Sequence, residues 1–120
     1  MSVGFPGLTE GLLAGAFARS TIARAVLSLE PADLGVLTEV NDAFCRLAGR
    51  ERDALVGLPG RVWPVDADGT PLSAVLDRLA RGEATEGRAK LTVIRPDGPP
   101  VPVVCHLVAA GSVAVAELIE

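Results

Sequence analysis

Val40-Asn41-Asp42-Ala43-Phe44-Cys45-Arg46-Leu47-Ala48-Gly49 reads as the end of a strand followed at once by a short, fully punctuated helix. Thr38 and Val40 favour extended backbone. Asn41 ends that strand, and its side-chain oxygen is placed to accept a hydrogen bond from a free first-turn amide. Asp42 puts a carboxylate at the positive end of the helix dipole. Phe44, Leu47 and Ala48, at spacings of three and four, form one apolar helical face. Gly49 stands where a helix closes with a left-handed residue. A strand turning directly into a capped helix marks the point where β structure gives way to α.

Working upstream, residues 23–29 alternate. Ala25, Leu27 and Leu29 point one way, Arg24 and Ser28 the other, as in a half-buried strand. Glu30-Pro31-Ala32-Asp33-Leu34-Gly35 is a turn by its proline and glycine. Residues 36–40 are then close enough to pair antiparallel with the first strand. Nearer the N-terminus, Thr9 caps a helix over residues 10–18 with an apolar face of Leu12, Leu13, Ala16 and Phe17. Gly11 and Gly15 weaken that helix by about 1 kcal/mol each. It therefore needs a surface to lean on, in its own domain or in a second subunit. Residues 1–18 are read as a lead-in, and residues 19–120 as the domain proper.

Working downstream, residues 51–56 repeat the capped-helix plan and stop at Gly57. Residues 58–68 carry Pro59, Gly60 and Pro64 and are predicted to be irregular. Thr70-Pro71 opens a helix whose stripe is Leu72, Val75, Leu76 and Leu79, ended by Gly82. Burying each of those four contributes about 1.5–3 kcal/mol. In the last third Arg88, Lys90 and Thr92 alternate with Ala89, Leu91 and Val93. Arg95-Pro96-Asp97-Gly98-Pro99-Pro100 has strong turn chemistry. Residues 101–110 and 113–119 are two further strands. Strands and helices are segregated, so the class is α+β: a single five-stranded antiparallel sheet with helices on one face.

Composition narrows the function. The chain has 120 residues, of which 49% are hydrophobic. That is one domain, large enough to bury roughly 65% of its unfolded surface. A net charge of −4 and 3% aromatics leave neither the basic footprint nor the stacking platform of a nucleic-acid binder. Two cysteines, Cys45 and Cys105, make neither a disulfide framework nor a zinc site and fit a reducing compartment. No basic residue precedes Arg19, so no signal peptide is read, and no apolar run approaches ~20 residues. The expectation is a soluble cytoplasmic domain without membrane contact.

The quoted stretch resembles the core of a PAS domain, in which a strand ending in Val-Asn leads into an Ala-Phe helix and a Leu-x-Gly close. Leu55-Val56-Gly57 is similar to the element that follows in that family. Arg95-Pro96-Asp97-Gly98 is similar to the hairpin before its penultimate strand. The resemblance covers residues 17–120; it departs at residues 63–69, where the acidic His-Pro-Asp-Asp stretch is missing. It implies a sensory or interaction module with a pocket between the sheet and the helices. On family position and alternation together, the pocket lining is expected at Leu27, Val40, Phe44, Trp63, Leu76, Leu79, Leu91 and Leu107. The resemblance also implies dimerisation through an N-terminal helix, here Leu12, Leu13, Ala16 and Phe17, giving a homodimer. Asn41, Gly49 and Gly57 are expected as structural caps. The last residues lead toward a connector, which implies a C-terminal output domain and a chain cut from a larger bacterial signalling or transcription-regulatory protein.

The residues that carry chemistry are few. His106 is the sole histidine and lies mid-strand on the face of Val104 and Val108. The region from Pro71 to Arg88 lacks the axial histidine of haem-binding relatives. Residues 58–63 lack the reactive-cysteine motif of the flavin photoreceptors. Neither haem nor covalent flavin is therefore expected; an unidentified small molecule is the remaining cofactor class. Cys105 and His106 are strand neighbours on opposite faces and cannot form a nucleophile–base pair. Both thiols are expected to be small buried hydrophobes. Trp63 fits two roles, a core lid and a stacking surface for a planar ligand. Asn41 is expected to cap its helix and tie the following loop. With no nucleophile motif and no carboxylate pair, no catalytic residue and no metal site are assigned. The leading reading is a sensory input module that binds a small ligand and relays a packing change. The alternative is a ligand-free dimerisation or protein-interaction module, and an enzyme ranks last.

Overall fold

The computed structural model describes residues 21–57, 65–67 and 72–120. The elements follow in the order β1 (Ala23–Ser28), a 3-10 turn (Pro31–Asp33), β2 (Leu37–Val40), α1 (Asp42–Ala48) and α2 (Arg52–Leu55). Then come β3 (Val65–Ala67), α3 (Leu72–Ala80), β4 (Glu86–Val93), β5 (Val101–Ala110) and β6 (Val113–Ile119). The strands form one antiparallel sheet in the order β2-β1-β6-β5-β4-β3. The helices pack on one face, α1 against β1 and α3 against β4. The α+β class and the five longer strands are as expected. One expectation is corrected: within residues 58–68, read as irregular, Val65–Ala67 pairs with Val93–Leu91 as a short edge strand. Three residues are too few to show a period, and pairing with β4 is what makes them a strand. The second helix is also shorter than predicted, Arg52–Leu55.

Alternation fixes which way each strand faces. The register joins Ala25 to Ala116, Ala116 to Leu107, and Leu107 to Gly87 across four strands. Leu27, Cys105, Leu91 and Val103 share that inner face, and all are buried. One residue out of phase, Arg24, Glu117, His106 and Arg88 form a cross-strand row on the opposite face. Between β1 and β2 the register shifts by one residue, so Thr38 is left over as a bulge, and its hydroxyl donates to the Val26 carbonyl at 3.1 Å. Pro102 is tolerated in β5 because β6 begins to pair only at Val104, leaving β5 locally an edge.

Helix packing explains one glycine. A Cβ on Gly87 would stand 2.5 Å from Val75 Cγ1, so only glycine lets α3 lie this close to β4. The predicted cap at Thr70 and Pro71 lies outside the described residues, as does the 10–18 helix with Leu12, Leu13, Ala16 and Phe17.

Candidate ligand-binding site

Two regions bear on ligand binding: the space between sheet and helices, and a cavity at one end of the sheet. The first is built by the residues selected from sequence. Leu27 on β1, Val40 on β2, Phe44 on α1, Leu76 and Leu79 on α3, Leu91 on β4 and Leu107 on β5 join one buried apolar cluster. None of these is more than 4% exposed. The structure thus brings together every selected residue it describes; Trp63 lies outside the described residues. Their side chains occupy the space between the layers, and none lines the cavity at the sheet end.

Asn41 is the buried polar group that joins the layers. Its Oδ1 accepts from Phe44 N at 2.9 Å and from Arg24 N at 3.0 Å, and its Nδ2 donates to the Ile22 carbonyl at 2.9 Å. The helix cap is as expected. The structure adds a second tie, from Asn41 back to the strand β1 that precedes it. The sequence could not show this, because Arg24 and Asn41 meet only through the β1–β2 pairing. Gly49 closes α1 at φ 68° and Gly57 follows α2 at φ 95°, both in the left-handed region. The Gly57 amide donates to the Leu37 carbonyl at 2.8 Å, fastening α2 to β2.

The cavity has a volume of about 430 Å³. It lies where β5 overhangs the end of β6. Ile22 and Ala23 enter it from the start of β1, and Ala43, Arg46 and Leu47 from α1. Arg95 and Val101 come from the β4–β5 hairpin, and Leu118, Ile119 and Glu120 from β6 and the residue after it. No local pattern announces this cavity, since it is assembled from five separate stretches of chain. Two arginines dock the hairpin on α1. Arg95 Nη2 donates to the Arg46 carbonyl at 3.4 Å, and Arg50 Nη1 donates to the Ile94 carbonyl at 3.2 Å. The first places a cation at the negative end of α1. Gly49 makes room: a Cβ there would stand 3.3 Å from Pro96 Cδ and 3.5 Å from Arg95 Nε.

Neither thiol is activated. Burial pushes the Cys105 thiol up to about 12. Cys45 is also raised, by burial first and then by the Asp42 carboxylate. The expectation that both cysteines are buried holds for Cys105 and is corrected for Cys45, which is only half-buried on α1. His106 lies on the outer face, where its Nε2 donates to Glu86 Oε1 at 2.8 Å. Cys105 points into the core, so the two neighbours are on opposite faces as expected. Among the described residues, no three His, Cys, Asp or Glu side chains gather as metal ligands, and no helix is long and apolar enough to cross a membrane.

No protein-family model and no curated protein matches this chain. Solved structures do. A domain of a sensory box sensor histidine kinase/response regulator from Geobacter sulfurreducens aligns with a TM-score of 0.75 at 19% identity, covering 98% of this chain and 100% of that one. The PAS domain of an HTR-like protein from Haloarcula marismortui aligns with a TM-score of 0.67 at 21% identity, covering 92% and 89%. The fold is that of a PAS domain. The PAS domain of the fruit-fly ELK potassium channel is similar to the same extent, with a TM-score of 0.70 at 11% identity over 95% of this chain and 98% of that one. A PAS fold shared by a kinase and a channel leaves function to the particular site.

Proposed function

We propose that this chain is a PAS sensory input module, without enzymatic activity of its own, that relays a packing change to an output domain of a cytoplasmic bacterial signalling or regulatory protein. The observation that carries this reading is the pairing of Ala23 with Leu118. It joins the start of the first strand to the end of the last, so the two ends of the domain lie side by side. A small ligand held among Leu27, Val40, Phe44, Trp63, Leu76, Leu79, Leu91 and Leu107 would favour one packing of α3 on the sheet over another. The shift would pass through β5 to β6. The module works as a homodimer, with Leu12, Leu13, Ala16 and Phe17 supplying the apolar helix face that pairs the subunits. Neither haem nor covalent flavin is part of this reading.

A second reading, a ligand-free dimerisation or protein-interaction module, is favoured by one observation: the described inner side chains are closely buried together. Native mass spectrometry of the full chain, with an absorbance spectrum of the same sample, separates the two. A dimer with added mass supports sensing, and a dimer without it supports assembly alone. A bare monomer overturns the dimer in both readings, and a visible band overturns the exclusion of haem and flavin.

A further inference from the structure

The cavity at the sheet end carries a ligand chemistry of its own. Two arginines line it, Arg46 from α1 and Arg95 from the hairpin. Two other arginines are neutralised: Arg24 pairs with Glu117 and Arg52 with Glu39, each at 2.8 Å. Among the described residues, neither Arg46 nor Arg95 forms an ion pair. Arg95 Nε is shut off from solvent and Nη2 makes a long contact of 3.4 Å to the Arg46 carbonyl, so a ligand would be met by the terminal guanidinium nitrogens. A guanidinium fork is best satisfied by an oxyanion, through two parallel N–H···O bonds.

The other walls say what the oxyanion is attached to. Leu47, Val101 and Leu118 present apolar surface, and about 430 Å³ is far more than an inorganic ion fills. That volume falls within the roughly 300–1,000 Å³ of small-molecule pockets. Glu120 brings a carboxylate to the lining, which disfavours a multiply charged anion such as phosphate relative to a monoanion. We propose that this cavity binds a small organic acid, its single carboxylate between Arg46 and Arg95 and its apolar body against Leu47, Val101 and Leu118. Such a ligand bridges α1, the β4–β5 hairpin and the adjoining ends of β1 and β6. The site is separate from the sheet–helix core and stands whether or not a ligand enters that core.

The test titrates decanoate into the full chain at neutral pH and low salt, below its micelle range, with 1-decanol as the uncharged control of equal length. Backbone amide shifts report the site. Decanoate is expected to saturate at a single site, move the amides of Arg46, Leu47, Arg95 and Ile119, and bind at least about tenfold more tightly than the alcohol. Arg95→Gln should weaken decanoate about tenfold or more and leave decanol unchanged. Arg46→Gln, on the exposed side of α1, should do the same in a chain whose fold is not at risk. Equal binding of acid and alcohol overturns the proposal. So do shifts confined to Leu27, Phe44 and Leu107, or no shift up to the solubility limit. A ligand retained in native mass spectrometry alongside any of these failures leaves the sensory reading standing and removes this site.

Discussion

The two faces of the sheet are made from neighbouring residues and meet opposite fates. Leu107 is fully buried, while Val108 beside it is 44% exposed. Cys105 is fully buried, while Val104 is 41% exposed. Both faces are rich in aliphatic residues, because β-branched side chains suit an extended backbone wherever they point. Hydrophobicity alone therefore does not locate the core of this protein; the phase of the alternation does. The inner face is held by apolar burial under α1 and α3. The outer face carries valines and isoleucine beside polar pairs, the Arg24–Glu117 ion pair and the His106–Glu86 hydrogen bond, each at 2.8 Å.

The sharpest way to break this contrast is to shorten adjacent residues on β5. Leu107→Ala should cost about 2–5 kcal/mol in a urea titration, for lost burial plus the cavity left behind. Val108→Ala should cost less than about 1 kcal/mol. Equal costs would mean that the outer face is covered in solution, as a second copy of the chain would cover it.

A smaller effect separates the faces by pH. Cys105 keeps its proton to about 12 in the folded protein, whereas an unfolded thiol loses it near the ordinary 9.0. Between those values the unfolded state binds fewer protons, so stability falls as pH rises, by up to about 1.4 kcal/mol per pH unit. Below pH 9 the group has no effect on the slope. Cys105→Val should flatten the alkaline loss measured by thermal melts across that window. An unchanged slope would show that Cys105 reaches solvent in the native state.

The smallest effect is expected on the outer face itself. Arg24 and Glu117 are about one-third exposed, so a double-mutant cycle on the pair should give no more than about 1 kcal/mol, fading in high salt. A larger, salt-resistant coupling would again mean that something shields this face.

Much of the fold is legible in particular residues. The Asn41 cap, the left-handed Gly49, Gly57 and Gly82, and the stripe of Leu72, Val75, Leu76 and Leu79 are all local signals, and local signals survive without tertiary context. The apolar residues selected for the pocket, Trp63 aside, were legible as inward-facing from alternation taken together with family position. The edge strand Val65–Ala67 was not, since its partner β4 lies more than twenty residues downstream. Nor was the tie from Asn41 to Arg24 and Ile22, or the approach of Arg95 over Gly49.

The sequence by itself determined the strands and helices that carry local signals, and which of their residues face inward. Backbone propensity, capping and periodicity act within a few residues. Only the tertiary structure decided that β1 lies between β2 and β6, that α3 closes on Gly87, and that Arg46 and Arg95 meet one apolar cavity. Those outcomes depend on contacts between distant segments, which arise only when burial of the common inner face brings the elements together.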